Sequence, residues 1–255
     1  MGGTDQGTHL RVLLDDVHVS YRVRPHGRLT PRRAIRVEAV RGVSLEIREG
    51  ESVGIIGRNG AGKSSLLRAM AGLLPLERGV VYASSTPVLL GVGKTLVPRL
   101  SGRENIELGC LALGLTRAEV RERMDDIVEF SGLAASIDLP LSTYSSGMGA
   151  RLKFAIASSV VHDILLLDEA LATGDMDFKE RSIARMHELR SRAQAVVLVS
   201  HSMSSIRESC SRVVWLDKGT IRADGAPEDI IAEYTDDTRR RRQTRREARA
   251  KGSSA

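Results

Sequence analysis

The chain has 255 residues, 42% of them hydrophobic and 27% charged, which is enough apolar content for one large α/β domain or two small ones and too much for a wholly disordered chain. Its formal net charge of +6, from 38 Lys and Arg against 32 Asp and Glu, invites a nucleic-acid reading. The charge is unevenly placed: residues 22–36 hold six arginines and no carboxylate, residues 239–255 hold eight basic residues and one glutamate, and the remaining body is acidic at −7.

Residues 1–9 are polar and glycine-rich without the apolar core of a secretory signal, and read as a flexible lead-in to a cytoplasmic protein. Residues 12–19 and 43–47 alternate apolar and polar side chains as half-buried strands do, and residues 51–56 form a third strand running into a glycine-rich turn. A helix follows from Gly62 to Met70, then a strand pair at 80–82 and 88–90. From about 96 to 160 the pattern is helical, with helical spacing over 101–113 and 116–130 and a capping box in Thr116 and Glu119. This stretch reads as a helical subdomain inserted into the body. Residues 164–167 are a buried strand, 178–190 a helix and 195–200 another strand; residues 213–216 and 220–223, joined through Asp217, Lys218 and Gly219, read as a hairpin. The domain so outlined spans 10–234, and 235–255 reads as a basic, disordered tail. Even the longest apolar runs, 164–167 and 195–199, fall far below the roughly 20 residues of a membrane-spanning helix. Cys110 and Cys210 lack metal-ligand spacing and read as buried thiols.

The chemistry concentrates after the third strand. Gly57, Arg58, Asn59, Gly60, Ala61, Gly62, Lys63 and Ser64 match G-x-x-x-x-G-K-[ST], the phosphate-binding loop, with Ser65 next in line. The run leaves an apolar strand and opens a helix, where backbone N–H groups converge on an anion at the positive end of the helix dipole. Lys63 is expected to reach the β- and γ-phosphates of ATP, and the Ser64 hydroxyl to ligate Mg²⁺. Downstream, strand 164–167 ends in Asp168 and Glu169. This would set Asp168 beside the Mg²⁺ and Glu169 where it polarises an attacking water. His201 follows the strand 195–200, a position that alone is more often structural.

Tyr144, Ser145, Ser146, Gly147 and Met148 resemble the signature motif of ATP-binding cassette (ABC) proteins, with Ser146 where a glycine is commoner and Met148 where a glutamine is frequent. The residues from Gly149 onward read as a helix, so Ser145 and Gly147 would offer a hydroxyl and an N–H to an anion. The resemblance implies an α/β fold: a P-loop ABC ATPase with a mixed sheet core, an antiparallel β subdomain and an inserted helical subdomain. It implies a homodimer of cassettes, each ATP lying between the P-loop of one and the signature of the other. It also implies that Tyr21 stacks on adenine, with a packed tyrosine at a strand end as the alternative. Asp175 matches a loop communicating across the dimer, and His201 the switch histidine at the γ-phosphate. The runs Leu100-Ser101-Gly102-Arg103-Glu104-Asn105-Ile106 and Leu167-Asp168-Glu169-Ala170-Leu171-Ala172-Thr173-Gly174-Asp175, taken with the signature, look like the ATP-binding subunits of bacterial exporters of lipid-linked polysaccharides of the O-antigen, teichoic acid and galactan types. That branch implies a separate polytopic membrane permease and a place on the inner face of the cell membrane.

Two features depart from the family pattern. The glutamine that most ABC proteins carry between P-loop and signature is missing; the position falls near Gly91 to Gly93, and the only glutamines are Gln6, Gln194 and Gln243. A carbohydrate-binding β-sandwich, which some O-antigen cassettes carry, has no room after Tyr234. The basic segment 22–36 lies where this branch has an extra loop or helix near the membrane entry, a solvated linker being the alternative. The rival function, a soluble ABC ATPase acting on nucleic acid or the ribosome, rests on the basic tail; such proteins usually have paired cassettes or long coiled-coil insertions, and no nucleic-acid partner is expected here. A non-catalytic ATP-binding switch is disfavoured by Glu169 and His201.

Overall fold

The computed structural model describes residues 9–23, 35–90, 96–168, 176–200 and 202–252. Strands β1 (Leu10–Val23) and β2 (Ile35–Arg48) form a long antiparallel ribbon that turns Val12, Leu14, Val17, Val43, Leu45 and Ile47 to the interior. β3 (Ser52–Ile56) leads into helix α1 (Lys63–Met70), and β4 (Arg78–Ala83) returns antiparallel to β1. β5 (Val88–Leu90) then joins a second sheet with β6 (Ile164–Asp168), β7 (Ala195–Val199), β8 (Arg212–Asp217) and β9 (Thr220–Gly225), in the order β5-β6-β7-β3-β8-β9. All pairings in it are parallel except β8 with β9. The inner strands are apolar without alternation because both faces are covered. α1 lies between the two sheets, its Leu66 and Leu67 fully buried with Leu14, Ile47 and Val53. Burial of each such leucine stabilises by about 1.5–3 kcal/mol.

Between the sheet's first two strands the chain builds a second core. Helices α2 (Gly102–Ala112), α3 (Arg117–Ser131) and α4 (Ser146–Ala157) bury Ile106, Val120, Ile127, Leu152 and Ile156 together. The predicted Thr116–Glu119 capping box is present, and Ser101 with Glu104 makes a second one. α5 (Met176–Arg192) ties this subdomain to the body: Phe178 meets Phe130 and Phe154 edge-on at 5.8 and 6.0 Å between ring centres. Short α6 (Met203–Ser209) sets Ile206 beneath β3, and α7 (Pro227–Gly252) closes the described chain.

Two predictions are corrected. The strands near 80–82 and 88–90 do not pair with one another. Tyr82 faces Leu13 across β1 and β4, whereas Leu89 pairs with Leu166 in the other sheet. Adjacency in sequence suggested a strand pair, but β5 is apolar and mostly buried while β4 is half-exposed, and the two are sorted to different environments. The stretch from 235, predicted as a disordered tail, continues α7 to Gly252. Its start is held by Tyr234 against Trp215, and an Asp237–Arg241 pair at i,i+4 spacing supports the next turn. Cys110 and Cys210 are free, buried thiols, as the sequence predicts; burial pushes the Cys210 thiol up to about 11.

Candidate functional site

The phosphate loop takes its form from what cannot be placed in it. A Cβ on Gly57 (φ 152°) would stand 2.2 Å from the Leu216 carbonyl oxygen, and one on Gly62 (φ 103°) 2.1 Å from that of Ala39. Only glycine fits either position, so the chain wraps tightly from β3 into α1. Ala61 N–H donates to the Arg58 carbonyl at 3.0 Å and closes the turn, while Asn59 and Gly60 stand exposed at its tip. Beside Gly60 lies a cavity of about 450 Å³ whose other lining residues, among the described ones, are Arg36, Glu38, Arg41 and Lys218. α1 begins at Gly62 without a side-chain cap and with no carboxylate in its first turn. The positive end of the helix is therefore left for an external anion.

Lys63 is 6% exposed and folds back over the loop, its Nζ donating to the carbonyls of Gly57 at 2.7 Å and Arg58 at 3.2 Å. Burial lowers its pKa below the ordinary lysine value, against an opposing pull from the Asp168 carboxylate. Ser64 Oγ donates to Asp168 Oδ2 at 3.1 Å, joining the start of α1 to the end of β6. A hydroxyl and a carboxylate so converged are hard oxygen donors, and two protein ligands of that kind suit Mg²⁺, which keeps waters and phosphate oxygens as its remaining ligands. Among the described residues no cluster of three or more His, Cys, Asp and Glu offers an all-protein metal site. The loop, the lysine and the Ser64–Asp168 pair thus fit a nucleotide phosphate chain with Mg²⁺.

Tyr21 stands at the end of β1 beside the same helix, its hydroxyl 3.0 Å from Ser65 Oγ and its ring half-buried against the core. The signature residues lie on the helical subdomain. Ser145 is the N-cap of α4, its Oγ accepting from Met148 N–H at 3.2 Å, and Tyr144 donates its hydroxyl to the Ser136 carbonyl at 2.6 Å. Ser145 and Ser146 are exposed, and a Cβ on Gly147 would meet only Ser145 Oγ, at 3.9 Å. Met148 packs inward on the subdomain core, which gives an apolar residue its reason at that position. Glu169, Asp175, His201 and Gly91 to Gly93 lie outside the described residues.

One part of the site was not read from the sequence. The turn between β8 and β9 was predicted only as a hairpin, yet Gly219 N–H donates to the Ala61 carbonyl at 2.9 Å and Leu216 O abuts Gly57. The D-K-G turn signal was visible, but nothing local says which loop it leans on.

A glycine-wrapped loop between a buried parallel strand and an uncapped helix, facing a carboxylate at the end of another parallel strand, defines a P-loop nucleotide-binding protein. The chain belongs to the ABC transporter family, whose sequence profile matches residues 40–172. Over 196 residues, 77% of this chain, it is 45% identical to a teichoic acids export ATP-binding protein of Lactococcus lactis, of which it covers 42%. It is 44% identical to an O-antigen export system ATP-binding protein of Myxococcus xanthus over 82% of this chain and 48% of the relative. It is 42% identical to one of Klebsiella pneumoniae over 77% of this chain and 80% of that protein. The chain thus spans about half the length of the first two. In fold it is similar to a dimeric ATP-binding cassette in a post-hydrolysis state bound to ADP and Pi, with a TM-score of 0.64 at 22% identity over 85% of this chain and 98% of that one. An ATP-binding subunit of an ABC transporter gives a TM-score of 0.68 at 21% identity, over 88% and 93% of the two chains. Among the described residues no helix is long and apolar enough to cross a membrane.

Proposed function

We propose that this chain is the ATP-hydrolysing subunit of an ABC exporter of lipid-linked cell-surface polysaccharide, paired with a separate polytopic permease at the inner face of the cell membrane. The observation that carries the reading is the Lys63 and Ser64–Asp168 arrangement on a chain so similar to export ATP-binding proteins of the teichoic acid and O-antigen systems. None of the relatives named above is described as acting on nucleic acid, and the nucleic-acid alternative has no support from them.

In this reading residues 10–234 are the ATPase domain. The backbone N–H groups of Gly57, Arg58, Asn59, Gly60, Ala61 and Gly62 hold the phosphates, and Lys63 releases its loop carbonyls to neutralise them. Ser64 and Asp168 would hold Mg²⁺, and Ser65 joins the loop residues that bind ATP. Bound Mg²⁺ supplies charge neutralisation on the β- and γ-phosphates. Glu169 accepts a proton from the attacking water, His201 contacts the γ-phosphate, and Tyr21 stacks on the adenine. A second copy of the chain supplies Ser145, Ser146, Gly147 and Met148 to the same ATP, and Asp175 lies where the two copies communicate. Binding closes the pair, hydrolysis reopens it, and the permease moves the glycan. The basic tracts 22–36 and 239–255, apart from Arg36 and Arg241, which pair with carboxylates of the body and of α7, lie toward the anionic membrane surface, where each Lys or Arg near the headgroups contributes about 1 kcal/mol before screening.

Glu169→Gln tests the assignment. It keeps the shape of the side chain and removes the proton acceptor, so ATP binding should persist while turnover falls at least a hundredfold. Hydrolysis at the wild-type rate would overturn it.

A further inference from the structure

α7 is 26 residues long, about 39 Å as a helix, and its beginning joins the core: Ile230 and Ile231 are buried with Trp215, and Tyr234 lies edge-on to the indole at 5.4 Å. One turn further on, four charges form a ring. Asp237 accepts from Arg222 Nη1 at 2.9 Å and from Arg241 Nε at 2.6 Å, and Arg241 Nη2 donates to Asp217 Oδ2 at 3.0 Å. Arg222 closes the ring 3.9 Å from Asp217, with its guanidinium carbon 4.0 Å from the centre of the Trp215 ring. The carboxylates of Asp217 and Asp237 are only 18% and 16% exposed, so the pairs are partly shielded, and they act as a network rather than as isolated surface pairs.

Asp217 opens the turn that rests on the phosphate loop. Both central residues of that turn are left-handed, Gly219 at φ 84° and Lys218 at φ 50°. A non-glycine residue keeps that conformation only where its surroundings hold it. The holding contacts are Thr220 Oγ1 on the Asp217 carbonyl at 3.0 Å, Arg41 Nε on the Lys218 carbonyl at 2.7 Å and Arg41 N–H on the Gly219 carbonyl at 2.8 Å. From the turn, Gly219 N–H reaches Ala61 O, and Lys218 lines the same cavity as Gly60. A continuous set of contacts therefore runs from Arg241 through Asp217 and the turn to the loop that holds phosphate.

We propose that Arg241 is a positioning residue for the nucleotide site: through Asp217 it presses the 217–220 turn against the phosphate loop, so the seating of the C-terminal helix sets the affinity for ATP. The inference rests on residues 57–64 being the nucleotide phosphate site.

The test is Mg-ATP binding and steady-state hydrolysis by the full chain as wild type, Arg241→Gln, Arg241→Lys, Asp217→Asn and the Arg241→Gln/Asp217→Asn double variant. Each of the two neutral single variants should weaken ATP binding about fivefold and raise KM with little change in kcat. The double variant should be no weaker than either single one, because both break the same link. Arg241→Lys keeps a positive charge and should recover most of the affinity. A merely structural role would lower the melting temperature and leave KM unmoved. Wild-type ATP affinity in Arg241→Gln, or losses that add in the double variant, would overturn the proposal. If the wild-type chain itself bound no Mg-ATP, the phosphate-site reading would fall and this inference with it.

Discussion

Lys63 carries the packing of the loop and, in the proposed function, its chemistry. Its ammonium is held by the carbonyls of Gly57 and Arg58, and burial lowers its pKa below 10.5. Because the folded value lies below the unfolded one, the native state bears a cost at lower pH that fades as pH rises through the lowered pKa toward 10.5. Phosphate binding, as the proposed function assigns it to Lys63, has the opposite preference, since it needs the charged amine. ATP affinity should therefore decline with rising pH already below the ordinary lysine range, and titrations of ATP binding from neutral pH upward measure it. An affinity that stays level until pH 10.5 would contradict this assignment. At this scale the site was largely legible: Gly57, Gly62, Lys63 and Ser64 are dictated by close backbone approach and by charge, both local demands. Met148 was not, because its reason is the subdomain core on which it packs.

Among the elements, α4 is the one whose first turn does two things. Ser145 caps the helix, so Ser145→Ala should cost about 1 kcal/mol in urea unfolding. Aspartate caps a helix as well as serine does, yet it brings a negative charge to the point where the proposed function puts a phosphate. Ser145→Asp should thus keep the wild-type stability and lose at least tenfold in hydrolysis. Wild-type turnover in that variant would leave Ser145 with a capping role only. The helical subdomain itself was legible from its capping box and spacing. The partners of β4 and β5 were not, since pairing was chosen by burial among strands far apart in the chain. Nor was the length of α7, where Arg241, one of the arginines that suggested disorder, finds carboxylates at Asp217 and Asp237.

At the scale of the whole molecule, the +6 belongs to two tracts on an otherwise acidic chain, which separates it from proteins with a continuous basic face. Purification of the tagged chain from detergent-solubilised membranes should bring down a polytopic membrane subunit encoded with it. Recovery that depended instead on intact RNA would move the protein to the nucleic-acid class. The helical subdomain keeps its own core, and α5 ties it to the body: Phe178 packs on Phe130 and Phe154 of the subdomain, and Leu189 packs with Leu165, Leu167 and Val196 of the sheet.

The phosphate loop, the strand ending at Asp168, the helical insertion and the family could all be read along the chain, because turn geometry, apolar runs and helix caps are demands that near neighbours meet. The meeting of Ser64 with Asp168 across 104 residues was expected only through the P-loop pattern; folding alone decided that β4 and β5 part company and that Arg241 reaches the turn beneath the phosphate loop. Those meetings follow from which surfaces can be buried together once the chain has closed on itself, and no local period or propensity encodes them.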